Sequence, residues 1–148
     1  LFNETEGLEE RAIKVVSALV SSLPLEHSYR VIFMLRPLRE VARSQSQMIA
    51  RLRTTGSAQD EAALVEELKD HRERVLFHLK RQKNIELLLV RFPHLVADPG
   101  AVCESVTEFL GEALPQPEAL KSVIDPALYR QRSEGGSENE NASGSEKE

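Results

Sequence analysis

Three apolar runs interrupt an otherwise mixed chain. Ile13 to Val16 is rich in β-branched residues, Val31 to Leu35 carries no polar residue at all, and Ile85 to Val90 is broken only by Glu86. Runs of four to eight such residues between turn signals predict strands, and uninterrupted ones predict strands covered on both faces. The segments between them have a helical period. From Pro37 to Arg53, Leu38, Val41, Met48, Ile49 and Leu52 fall on one face. From about Glu61 to Lys83, Leu64, Leu68, Val75 and Leu79 make a second stripe. A third helix is predicted over "AVCESVTEFLG", with Val102, Val106, Phe109 and Leu110 inward, and a short one after Pro117.

The punctuation agrees with this division. Pro24 breaks "SSLPLEHS", and Pro37 sits in a first helical turn, where its missing N–H costs nothing. "TTGSAQD" is a predicted loop whose Asp60 can cap the helix that follows. "RFPHLVADPG" predicts a loop with a helical turn, and Gly111 a helix stop. Strands alternating with helices imply βαβ units and a mostly parallel sheet, whose ligands collect beyond the carboxyl ends of the strands. Ser17, Arg36 and Phe92 stand at such ends.

Composition narrows the class. At 148 residues, 41% hydrophobic and 29% charged, the chain has room for one globular domain. No apolar run approaches the roughly 18 residues that predict a membrane span, and "LFNETEGLEE" lacks the apolar core of a secretory signal. A single cysteine, Cys103, excludes an internal disulfide and fits a reducing cytoplasm. Cys103 itself reads as inert packing. With Leu1 at its start and a strand close behind, the chain is expected to be the C-terminal part of something longer. Residues 133–148, with five glutamates, one lysine and no large apolar side chain, are expected to be a disordered acidic tail. They account for most of the net charge of −5. Six arginines between Arg30 and Arg53 oppose only Glu40. A basic patch within a nearly neutral body predicts a local anion site, not a nucleic-acid surface. His71 and His78 share a helix face, but their spacing is not that of a helical zinc pair, and no metal site is expected.

The seam between Leu35 and the next helix is the most specific chemistry. An arginine there faces the crevice and the helix N-terminus together, both favourable for an anion. Its planar fork matches phosphate oxygens two at a time. Ser44 lies on the same face as Pro37, about 10 Å further along the axis.

In these residues the sequence resembles the sulfotransferases, closest in wording to bacterial members of that family. Members have a strand, an arginine and then a serine eight residues on, as "VIFML", Arg36 and Ser44 stand here. A second block, "IELLLVRFPHLVADPGAVCESVTEFLG", matches a strand followed by Asp-Pro and a helix ending Phe-Leu-Gly, with Phe92 where tyrosine is usual. A third, "RAIKVVSALVSSLP", is similar to the segment that carries a lysine and a base histidine, with Lys14 matching the lysine and Val16 in the histidine's place. No Gly-rich phosphate loop with Lys and Ser/Thr is present.

The resemblance spans roughly Arg11 to Arg132 and implies a three-layer P-loop-type α/β fold, incomplete at its N-terminus, over residues 1–132. It implies sulfuryl transfer from 3′-phosphoadenosine 5′-phosphosulfate to a hydroxyl or amine acceptor. Arg36 and Ser44 would hold the 3′-phosphate, Lys14 would lie near the sulfuryl group, and Phe92 would stack on adenine. Plainer readings stand beside these. Lys14 can be a strand-end lysine with its head in water, Phe92 a core residue, and Arg39, Arg43, Arg51 and Arg53 a solvated helix face, with Arg39 and Arg43 flanking Glu40. The missing loop and base leave open a non-catalytic α/β binding or interaction module.

Overall fold

The computed structural model describes residues 12–51, 60–111, 117–125 and 127. The expected tail at 133–148, Leu52, Arg53 and most of the "TTGSAQD" loop lie outside the described residues.

Two parallel strands form the sheet, β1 (Tyr29–Leu35) and β2 (Ile85–Arg91), in register from Tyr29 opposite Ile85 to Leu35 opposite Arg91. Parallel neighbours must start from the same edge, so the chain returns through a long crossover. That crossover contains α1 (Leu38–Arg51) and α2 (Glu61–Arg81). Asp60 caps α2 as its residue type predicts, accepting from the Ala62 N–H at 3.2 Å. Asn84 fixes the common starting edge: its Nδ2 donates to the His27 carbonyl at 2.7 Å, and its carbonyl accepts from the Tyr29 N–H.

Side-chain alternation sends Val31, Phe33, Ile85 and Leu87 to one face, where they pack against Val20, Val75 and the fully buried Leu79. On the opposite face Arg30 reaches Glu86 (3.4 Å) and donates through Nη1 to the Leu110 carbonyl at 2.7 Å. This contact places the end of α4 (Pro99–Leu110) on that face, beside β2. Helices therefore lie against both faces of a mixed α/β structure that is mostly helical. Between β2 and α4, Phe92–Ala97 is a six-residue helix, α3, where the sequence predicts a loop with one helical turn. Asp98 closes α3 and caps α4, accepting from the Ala101 N–H. α5 (Pro117–Ser122) packs on α4. Val102, Val106, Phe109 and Leu110 are all part-buried, and Cys103 is buried, as the helical stripe predicts.

Two expectations are corrected. Ile13 to Val16 forms no regular element and pairs with no strand among the described residues. Ile13 and Val16 are largely exposed, while Val15 alone packs on the core. Strand preference in such a run is a preference for a half-buried pleated surface, and here a single residue is covered before the chain turns into a 3-10 helix at Ser17–Ser22. The stripe of α1 is also covered only in its first half. Leu38 and Val41 are part-buried, but Met48 and Ile49 are exposed. The buried positions of α1 are Ala42 and, unexpectedly, Glu40. Among the described residues no helix is long and apolar enough to cross a membrane.

Candidate functional site

The register of the sheet builds the site. Leu35 and Arg91 are partners, so the residues that follow them, Arg36 and Phe92, leave the sheet side by side at the carboxyl edge. Arg36 precedes Pro37, a position restricted to extended backbone, which carries the strand direction one residue further. The Pro37 carbonyl then accepts from the N–H groups of Glu40 and Val41, starting α1 at once. The guanidinium carbon of Arg36 lies over the Phe92 ring, 4.7 Å from its centroid.

Glu40 completes the arrangement. It occupies the first turn of α1, where the helix dipole favours a carboxylate, and its side chain is 2% exposed. Arg36 Nη2 is 4.0 Å from Glu40 Oε2. Arg36 Nε is withdrawn from solvent and makes no hydrogen bond among the described residues, yet the side chain as a whole remains 37% exposed. The guanidinium is thus stacked on one side, drawn inward by a carboxylate, and open to solvent along part of its rim. At 4.0 Å the carboxylate attracts without occupying the N–H groups as a bidentate partner would. This geometry can present a planar cation to an oxyanion arriving from solvent at the carboxyl edge of the strands.

The other expected residues are placed as follows. Ser44 is one turn beyond Glu40 on α1 and is exposed, so its hydroxyl is accessible along the same flank. Phe92 is part-buried and gives one ring face to Arg36. Lys14 is exposed on the segment before the 3-10 helix, and no contact joins it to Arg36, Ser44 or Phe92 among the described residues. Arg43 pairs across helices with Glu61 at 3.4 Å, while Arg39 and Arg51 are exposed.

Two features escape a reading of the sequence alone. Glu40 can be assigned there to Arg39 and Arg43, its near neighbours. The four-residue spacing from Arg36 was the available signal, and the structure uses it. The second is a contact between Ser17 Oγ and His71 Nε2 at 2.9 Å, across 54 positions of sequence. No local pattern announces it. Comparison with family models, with curated proteins and with solved structures finds no match for the chain.

Proposed function

We propose that this chain supplies the 3′-phosphate site of a sulfotransferase-type domain acting on 3′-phosphoadenosine 5′-phosphosulfate and a hydroxyl or amine acceptor. The observation that carries the reading is the Arg36 guanidinium stacked on Phe92, beside buried Glu40, at the shared carboxyl edge of two parallel strands. In this reading the strands and their flanking helices are part of a three-layer P-loop-type fold. When bound, the cofactor supplies an activated sulfuryl group. Arg36 takes the 3′-phosphate by charge-assisted hydrogen bonds, and Ser44 adds a neutral hydroxyl from the flank of α1. Phe92 and Glu40 hold the plane of Arg36, so that its fork is oriented before the anion arrives. Lys14 is the cation that the resemblance assigns to the neighbourhood of the sulfuryl group. The single cysteine fits a cytoplasmic setting.

A second reading is a non-catalytic α/β binding or interaction module. It is favoured by Val16, which cannot take a proton, and by the position of Lys14 outside the sheet. Calorimetry tests the first reading. The chain is titrated with 3′-phosphoadenosine 5′-phosphate and with adenosine 5′-phosphate at equal ionic strength. A preference of about tenfold or more for the 3′-phosphorylated ligand is expected, and equal affinities overturn the first reading. Transfer of labelled sulfuryl to an acceptor, if this chain performs it, would assign the enzyme over the module.

A further inference from the structure

A cavity of about 220 Å³ opens between the 3-10 helix and α2, away from the strand ends. Its polar lining is Ser17, Ser21, His71, Arg74 and His78, and none of its lining residues is acidic. His71, Arg74 and His78 recur at spacings of three and four on α2, which brings them to one face. Val20 and Val75 form an apolar floor that belongs to the core. The 2.9 Å contact between Ser17 Oγ and His71 Nε2 ties the two walls together. The lining therefore offers one guanidinium, two imidazoles and two hydroxyls to a space several times the roughly 30 Å³ share of one water.

We infer that this cavity binds a tetrahedral oxyanion of the phosphate or sulfate class, either as the free ion or as the terminal group of an ester. Arg74 supplies the permanent positive charge and the forked donors. Ser21 and Ser17 donate from the facing wall, the Ser17 oxygen accepting from His71 Nε2–H, so that His71 acts through Ser17 and His78 donates directly through a ring N–H. The site shares no residue with the Arg36–Phe92 pair, so it stands or falls independently of the nucleotide reading.

Histidine side-chain NMR of the 148-residue chain tests it. Inorganic phosphate is titrated at fixed pH, with chloride adjusted to hold ionic strength constant. The His71 and His78 resonances should shift saturably with a common dissociation constant, while His94, on α3, serves as reference. Arg74→Ala should weaken that constant about tenfold, the scale of one charge-assisted hydrogen bond, and Arg74→Lys should recover part of the loss. Arg74 is exposed, so its replacement should leave the amide spectrum folded. Lys69→Ala removes a cation of α2 that does not line the cavity and should leave binding unchanged. Inorganic sulfate and glycerol phosphate run as parallel arms. Tighter binding of the ester marks a group-recognition site, and tighter binding of the free ions marks an ion site, either of which supports the inference. Absence of a saturable shift at both histidines overturns it, as does an equal loss in Arg74→Ala and Lys69→Ala.

Discussion

Arg36 is held from two sides, by the face of Phe92 and by the buried carboxylate of Glu40. The stacking is an orienting force worth about 0.5–1 kcal/mol at a partly exposed site. Phe92→Leu keeps the charge of Arg36 but removes the platform. It should weaken binding of 3′-phosphoadenosine 5′-phosphate by about two- to fivefold, and Phe92→Tyr should restore it, both read by calorimetry. An unchanged affinity in Phe92→Leu would show that the ring is packing alone. Tyr29 offers a second test at this scale. Burial, and secondarily the charge of Glu26, pushes its phenol above the ordinary 10.0, and the neutral hydroxyl donates to the Pro24 carbonyl at 2.9 Å. The fold prefers the protonated form, so this contribution is complete below the unfolded pKa near 10 and is lost as pH rises through the higher folded value. Ultraviolet titration of Tyr129→Phe, which isolates Tyr29, should give a midpoint above 10.0. A midpoint at or below it contradicts the burial argument. Arg36 was legible in the sequence because a charge directly after an apolar run and directly before Pro37 has few places to go. The burial of Glu40 was not, since three arginines lay within four residues of it and sequence alone does not choose among them.

The elements show where local chemistry decides and where pairing does. Asp60, Asp98 and Gly111 mark helix boundaries, and each does so by backbone satisfaction that its residue type predicts. Gly111 has φ 68° and ψ −153°, a region essentially reserved for glycine. A Cβ there would meet nothing closer than Arg30 Nη1 at 3.8 Å, so the cost of a side chain is conformational and not steric. Gly111→Ala should destabilise the chain by about 1–3 kcal/mol in urea unfolding. A change below about 0.5 kcal/mol would mean that the end of α4 refolds around the substitution. The strand expected at Ile13 to Val16 failed for the opposite reason. Its β-branched composition is local, but a strand exists only against a partner, and the described residues provide none. α3 reads in the sequence as one helical turn within a loop because six residues with a proline in second place carry too little periodicity to separate a short helix from a turn.

At the scale of the molecule, the core on the α2 side of the sheet is small. Leu79 is fully buried there with Val20 and Val75. Leu79→Ala should cost about 2–5 kcal/mol, a large share of the roughly 5–15 kcal/mol that holds a domain together. Urea denaturation should show a much lower midpoint with little change in slope, whereas a loss under about 1 kcal/mol would place the stabilising core elsewhere. The alternation of strands and helices, the parallel pairing of β1 with β2 and the crossover between them were all readable from hydrophobic period and turn residues. The Ser17–His71 contact was not, because it depends on how the 3-10 helix lies against α2.

The claim on which the functional reading rests is that Arg36 recognises a 3′-phosphate, and a mutant cycle between Arg36 and that phosphate measures it directly. Calorimetry compares 3′-phosphoadenosine 5′-phosphate with adenosine 5′-phosphate on the parent chain and on Arg36→Ala. A charge-assisted contact of about 1.5–3 kcal/mol predicts a ten- to hundredfold loss for the 3′-phosphorylated ligand and almost none for the other. Ser44→Ala should cost the first ligand about 1 kcal/mol. If Arg36→Ala weakens both ligands equally, Arg36 attracts anions without reading the 3′-phosphate, and the assignment is contradicted.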